Sequence, residues 1–294
     1  MAADTRPLLW LVDKPAGPTS HDVVAQMRRG LPRSVKVGHA GTLDPFATGL
    51  MVVLSGRATR VAEHMSGLDK GYLATIRTGF TSATGDPEGP VTPDGAPAPA
   101  AEIAAVLPAL SGRQTQRVPA FSAVRVDGER LYARARRGED VDAPVREVVI
   151  HRLSLVDDLG EGRAVIAVRC SKGTYIRSLA EDIGRALGVG AYCEALRRTE
   201  VGALSVADAL PVEDSLRAGG RDPREGLGHL PEVSVDESGA ADVAHGRAVG
   251  GDAQGTCLIV SAGILLAVGE GDGEGHIRPR VVLAPAGQAG RGAV

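Results

Sequence analysis

Residues able to do chemistry gather early in the chain. Asp44 stands between Leu43 and Pro45, on a segment that also holds Gly38, His39, Gly41 and Gly49. An aspartate beside Gly and Pro is ordinarily a turn or cap residue. On a rigid loop facing a substrate it is instead a general base, a nucleophile or a stabiliser of positive charge. His39 by itself would be a satisfied structural histidine. A second feature is the run Arg125, Arg130, Arg134, Arg136 and Arg137, broken by the acids Asp127 and Glu129. On an isolated helix such a run is a solvated face, and beside RNA it would contact phosphates. A glycosidase would need a second carboxylate near Asp44, and the spacing places none.

The elements that must hold these residues follow from hydrophobic periodicity. An apolar run at 8–12 reads as a buried strand, and a cap at Thr19 or Ser20 opens a helix with Val23, Val24 and Met27 on one face. Residues 31–49 read as a loop ahead of a core strand at 50–54, which puts Asp44 on a loop fixed to the core. Further on come a helix at 57–65, a strand at 71–79, a surface loop at 81–99 and a helix at 101–110. A strand-like stretch at 118–126 and a helix-like one at 129–137 precede strands at 145–156 and 163–170. The clearest helix runs over 174–187, with Gly188 ending it. Irregular alternation without a uniform βαβ repeat predicts an α+β domain with a mixed, largely antiparallel sheet. A boundary is expected at 218–229, followed by short strands at 256–260, 264–268 and 280–283 that suggest a small β-barrel.

The length of 294 residues suits one large catalytic domain plus a small appendage. No apolar run reaches the roughly 20 residues of a membrane span, and the first residues lack a signal-peptide pattern, so a cytoplasmic protein is expected. Cys170, Cys193 and Cys257 form no CxxC pair, which predicts neither a disulfide framework nor a metal site. The net charge of −3 is unevenly spread: residues 229–294 carry four arginines against eight acids, leaving the remainder slightly positive. Lysines are few, namely Lys14, Lys36, Lys70 and Lys172.

The string Gly38-His-Ala-Gly-Thr-Leu-Asp-Pro-Phe-Ala-Thr-Gly-Leu-Met51 resembles the signature of the TruB family of tRNA pseudouridine synthases. Further stretches resemble family motifs in family order: Asp13-Lys14-Pro15 with Thr19-Ser20-His21-Asp22, Lys70-Gly71-Tyr72, Val118 to Arg125, Cys170 to Leu179, and Leu196-Arg197-Arg198-Thr199 through Gly202. Together they cover roughly residues 8 to 210. The resemblance implies a pseudouridine synthase fold over 1–220 with an RNA-closing insertion near 112–142. A PUA-like β domain over 229–286 and a disordered tail at 287–294 would follow.

The implied activity is isomerisation of uridine-55 in the T arm of tRNA. That reaction breaks N1–C1′, turns the uracil and rejoins it through C5, so a carboxylate is needed beside the ribose. The resemblance makes Asp44 that group, with Arg177 as the cation pairing with it and Tyr72 as the flat partner of the flipped base. His39 would fill the stack the base vacates, and Tyr175 and Leu196 would wall the pocket. Lys14, Arg125, Arg130, Arg134, Lys172 and Arg197 are expected to contact RNA. No cofactor, metal or guide RNA is expected, and the protein should be a monomer. One departure is Ala83, where many relatives carry an acid. The alternative is a tRNA-binding or tRNA-folding chaperone without catalysis.

Overall fold

The computed structural model describes residues 6–284 other than 120, 123, 127, 138 and 140–142. The tail at 287–294 lies outside the described residues, as do parts of the 112–142 insertion and the side chains of Arg125, Arg130 and Arg136.

Strand β1 (Leu8–Lys14) buries Leu9 to Val12, as its apolar run dictates. Helix α1 (Ser20–Arg29) starts from a capping box: Thr19 accepts from the Asp22 amide, and Asp22 accepts from the Thr19 amide. Such a cap contributes about 1 kcal/mol. The helix packs Val23, Val24 and Met27 against Trp10, Val12, Met51 and Val53. Strand β2 (Val37–His39) lies within the stretch expected to be loop, and at three residues it is too short for an alternating pattern to register. Strand β3 (Thr48–Ser55), buried along nearly its whole length, pairs antiparallel with both β1 and β2.

A 3₁₀ turn (Gly56–Val61) leads through α2 (Ala62–Ser66) to β4 (Lys70–Thr78). The region read as surface loop holds the hairpin of β5 (Phe80–Ser82) and β6 (Val91–Pro93). Helix α3 (Ala100–Val106) precedes β7 (Gly112–Arg117), β8 (Arg125–Val126), β9 (Glu129–Arg130) and α4 (Leu131–Arg136). The single strand expected at 118–126 is therefore displaced. Pro119 cannot donate to a ladder, and the edge strand is β7 instead. Strands β10 (Val145–Gly160) and β11 (Arg163–Cys170) follow as expected. Helix α5 (Ile176–Leu187) buries Ile176, Leu179, Ala180 and Ile183, and Gly188 closes it at φ 72°.

Strand β12 (Ala191–Val201) has no counterpart among the expected elements, yet it is central. The main sheet runs β1-β3-β12-β4-β11-β10-β7, with β2 on β3 and β13 (Leu204–Ser205) on β12. Only the β3–β12 pair on this path is parallel, so the sheet is mixed and largely antiparallel as expected. Two register shifts against β4 and a buried arginine break the apolar alternation of β12, which hides it from periodicity.

Helices α6 (Val212–Ala218) and α7 (Arg224–Leu227) lead into the C-terminal unit, made of β14 (Glu232–Ser234), α8 (Glu237–Ala244), β15 (Val249–Gly250), β16 (Gln254–Ser261), β17 (Ile264–Asp272) and β18 (His276–Val282). Its curled sheet, ordered β14-β16-β17-β18-β15, is consistent with a PUA-like unit. Leu258, Val260, Leu265, Val268 and Leu283 share one buried cluster with Leu9, Leu11, Leu50, Val52 and Leu54 of the catalytic sheet. At about 1.5–3 kcal/mol for each fully buried side chain, the five contribute roughly 10 kcal/mol. That is comparable with the net stability of a domain, about 5–15 kcal/mol.

Candidate active site

The loop between β2 and β3 carries Asp44, and its backbone carbonyls are held almost one by one. Ser20 Oγ donates to Leu43 O (2.9 Å) and accepts from the Leu43 amide (2.8 Å). The Lys14 ammonium donates to Pro45 O (3.0 Å) and Ala47 O (2.7 Å), and to Pro15 O (2.9 Å). The Gly17 amide also donates to Pro45 O, and the Ala47 amide to Asp44 O. Arg198 holds the other half of the loop: Nη2 reaches Gly41 O (3.2 Å), Nη1 reaches Thr42 O (3.2 Å) and Nε reaches Leu50 O (2.7 Å). A catalytic group on a loop is precise only when neighbours lock it. Here three buried polar side chains do so.

Arg198 arrives there through strand pairing. It lies opposite Gly49 in the parallel β3–β12 contact and opposite Tyr72 across β4. Gly49 sits at φ 101°, and a Cβ there would stand 2.3 Å from Arg198 O, so only glycine allows the strands this close.

Asp44 meets Arg177, the second residue of α5. Arg177 Nε lies 3.1 Å from Asp44 Oδ2, and Nη1 lies 3.2 Å from Asp86 Oδ2. The Nε–H does not align with the Asp44 carboxylate, so this contact is a charge pair rather than a directed hydrogen bond. Nη1 also donates to Thr84 O and Nη2 to Phe121 O, both at 2.9 Å. The Arg177 side chain is 3% exposed and that of Asp44 36%, so the carboxylate opens to solvent while the cation behind it does not. Protein still surrounds most of the carboxylate. Burial raises its pKa from the ordinary value, and Asp86 adds to the rise, whereas Arg177 and Lys14 oppose it.

The space in front of Asp44 is a cleft of about 400 Å³, lined among others by Lys70, Tyr72, Tyr175, Arg177, Leu196 and Arg198. That is within the roughly 300–1,000 Å³ of small-ligand sites. Tyr72 supplies a flat ring whose phenol burial pushes up, against the pull of Arg198, so it stays protonated at neutral pH. Tyr175 precedes α5 and is fixed by Gln116, which donates to its carbonyl (3.1 Å) and accepts from its amide (2.9 Å). The Arg146 guanidinium lies 5.5 Å from the centre of the Tyr175 ring.

The structure thus brings Asp44, Tyr72, Arg177, Tyr175 and Leu196 together, with the expected Asp44–Arg177 pair present. His39 lies at the end of β2, outside the cleft lining; its Nδ1 accepts from the Gly41 amide at 3.2 Å, and burial lowers its pKa. Several residues expected to contact RNA stand elsewhere. Lys14 is fully buried with its ammonium on three carbonyls, so it has no donor left for a phosphate. Arg197 forms a two-pronged pair with Asp13 (3.0 and 2.8 Å). Arg134 pairs with Glu139, and Arg137 pairs with Glu129 and Glu139, an acid just beyond the run that the sequence reading counted. The side chains of Arg125 and Arg130 lie outside the described ones. Lys172 is exposed on the turn before α5.

Sequence reasoning missed Arg198 as a buried clamp, naming it only within a matched motif. The available signal was its adjacency to Leu196 within a matched motif. At position 83 the alanine faces solvent, and the acid that reaches Arg177 is Asp86, held by the Thr84 hydroxyl and the Glu88 amide.

Residues 28–176 match the N-terminal domain model of TruB family pseudouridylate synthases, and residues 177–219 match the C-terminal domain model of tRNA pseudouridylate synthase B. The chain is 50% identical over 211 residues to a tRNA pseudouridine synthase B of Corynebacterium aurimucosum, covering 70% of each protein. It is 40% identical over 297 residues to one from a Synechococcus species, covering 94% of this chain and 97% of that one. A solved H/ACA ribonucleoprotein bound to a substrate RNA containing 2′-deoxyuridine holds a chain with TM-score 0.74 at 24% identity. The match spans 95% of this chain and 86% of that one, a likeness of fold.

Proposed function

The chain belongs to the TruB family of pseudouridine synthases, and from that premise we propose that it isomerises uridine-55 in the T arm of tRNA, with Asp44 as its catalytic carboxylate. Pseudouridine synthesis on tRNA is the activity its full-length relatives are named for. The observation that carries the reading is a solvent-facing carboxylate, paired with a buried arginine, at the mouth of a cleft sized for one nucleoside and bearing an aromatic ring.

Extruding the uridine costs a few kcal/mol, which stacking against Tyr72 offsets, with Tyr175 and Leu196 excluding water around the base. The ionised Asp44 then serves ribose C1′ or C2′, where it attacks carbon or removes a proton as N1–C1′ opens. Arg177 favours the ionised form through the buried pair. After the uracil turns, C5 bonds to C1′ and loses its proton. His39, whose ring accepts from the amide of cleft-lining Gly41, would enter the stack the base leaves. Lys172, exposed on the turn before α5, would meet the RNA backbone. The reaction is proposed to run on tRNA alone, without guide RNA, cofactor or metal, in a cytoplasmic monomer.

A T-arm hairpin carrying tritium at uridine C5 tests this. Folded protein should release tritium to water. Binding of the same RNA without release would instead favour the tRNA-folding alternative and overturn the catalytic assignment.

A further inference from the structure

Tyr175 lines the cleft from the residue just before α5, outside any strand ladder. Its backbone is extended (φ −101°, ψ 113°), and its side chain makes no cap bond to the helix. On backbone grounds alone, several staggered positions of the ring are open. The pocket wall needs one of them.

Two side chains on neighbouring strands remove that freedom. Gln116 on β7 is 2% exposed and bonds both the amide and the carbonyl of Tyr175. Arg146 stands directly across from Gln116 on β10 and sets its guanidinium 5.5 Å from the centre of the Tyr175 ring. That is within the roughly 6 Å over which a cation and a ring face attract. The turn before α5 leaves room for it: a Cβ on Gly173 would stand 3.2 Å from Arg146 Nη1. Among the described residues no carboxylate pairs with Arg146, and its chain neighbour Glu147 pairs with Arg113 instead. Nor does Arg146 line the cleft, so the guanidinium backs the ring from outside the space a base would fill.

We propose that Arg146 is a positioning residue for the reaction, holding the Tyr175 ring as a preformed wall against which the flipped uracil settles. The proposal rests on the reading of this protein as a pseudouridine synthase and adds what fixes the wall of its pocket. A wall in place before the base arrives spares the entropy of ordering it at that moment. The benefit falls on the flipped state, because docking of the RNA arm precedes entry of the base. Arg146 is half-buried. Losing its contact with the ring should therefore slow the reaction about 5-fold at saturating RNA. The half-saturating RNA concentration should stay near that of wild type.

The test follows single-turnover tritium release from a T-arm hairpin over a range of RNA concentrations. It compares wild type, Arg146→Met, Tyr175→Leu and the double variant, well below their unfolding midpoints so that only folded protein is measured. Methionine keeps much of the stem but not the planar cation. Arg146→Met should be about 5-fold slower than wild type, whereas adding it to Tyr175→Leu should slow that variant no further. The same factor lost in both backgrounds would show the guanidinium acting on something other than the ring, and would overturn the proposal. So would a raised half-saturating concentration with a flatter salt dependence, which marks a phosphate contact. No release from wild type would sink the enzymatic reading. Release by wild type with Arg146→Met equally fast would sink only the role of Arg146.

Discussion

Replacing Arg198 by lysine keeps the positive charge but removes the planar fork that binds Gly41, Thr42 and Leu50 carbonyls at once. One ammonium can hold the short Leu50 contact and leaves the two 3.2 Å contacts to the catalytic loop unmade. Hydrogen bonds from charged donors contribute about 1.5–3 kcal/mol each. The two lost ones are long, so the lower end applies, about 3 kcal/mol in all. For a chain of this size that is a fall of several degrees in unfolding midpoint, at roughly 2 °C per kcal/mol. The catalytic effect is larger, because a displacement of about 1 Å costs on the order of 100-fold in rate. Single-turnover tritium release should therefore slow about 100-fold, while RNA affinity is largely kept because Arg198 is buried. Arg197→Lys, next in sequence but partly exposed, should leave the rate near wild type. Wild-type turnover in Arg198→Lys would refute the claim that this side chain positions Asp44.

Three further outcomes follow from the same geometry. Asp44→Asn should keep RNA binding but lose turnover by about 10²–10⁴-fold or more; equal turnover would remove Asp44 from the chemistry. Gly49→Ala forces a Cβ to 2.3 Å from Arg198 O at φ 101°, so its urea midpoint should fall by the equivalent of about 3 kcal/mol or more. Lys70, whose ammonium donates to Ser66 O and Leu68 O, has its pKa pushed down to about 8 by burial. The unfolded chain then binds more protons than the folded one between about pH 8 and the ordinary lysine value, so this group's contribution to stability rises with pH there. The difference in unfolding free energy between wild type and Lys70→Met, measured at pH 7.5 and 10, should grow at the higher pH.

Much of the architecture was legible where one face of an element alone meets the core. Helix α5 shows this: Ile176, Leu179, Ala180 and Ile183 recur at helical spacing and Gly188 ends them. Strand β12 was illegible because its register shifts twice and a buried guanidinium occupies an inward position, which no apolar pattern encodes. The site was legible as residue types, since Asp44, Tyr72 and Arg177 stand in matched strings. The work of Lys14 and Arg198 was not. In sequence Lys14 was expected to contact RNA and Arg198 was only part of a matched motif; in the fold each is enclosed by carbonyls that only the packed loop presents. Arg134 and Arg197 were likewise read as RNA contacts, and the fold pairs them with Glu139, outside the stretch considered, and with Asp13, distant in sequence.

The buried cluster common to the C-terminal sheet and the back of the catalytic sheet makes the protein a gauge of fixed span. Any surface on strands β14 to β18 keeps a set distance from Asp44, since moving it would expose Leu9, Leu11 and Leu50 along with Leu258 and Leu265. A substrate that touches both ends must itself be stiff and of matching length, so selection can operate on the dimensions of a folded RNA as well as on its bases. For the same reason a chain shortened before residue 229 would lose its catalytic core along with its reach.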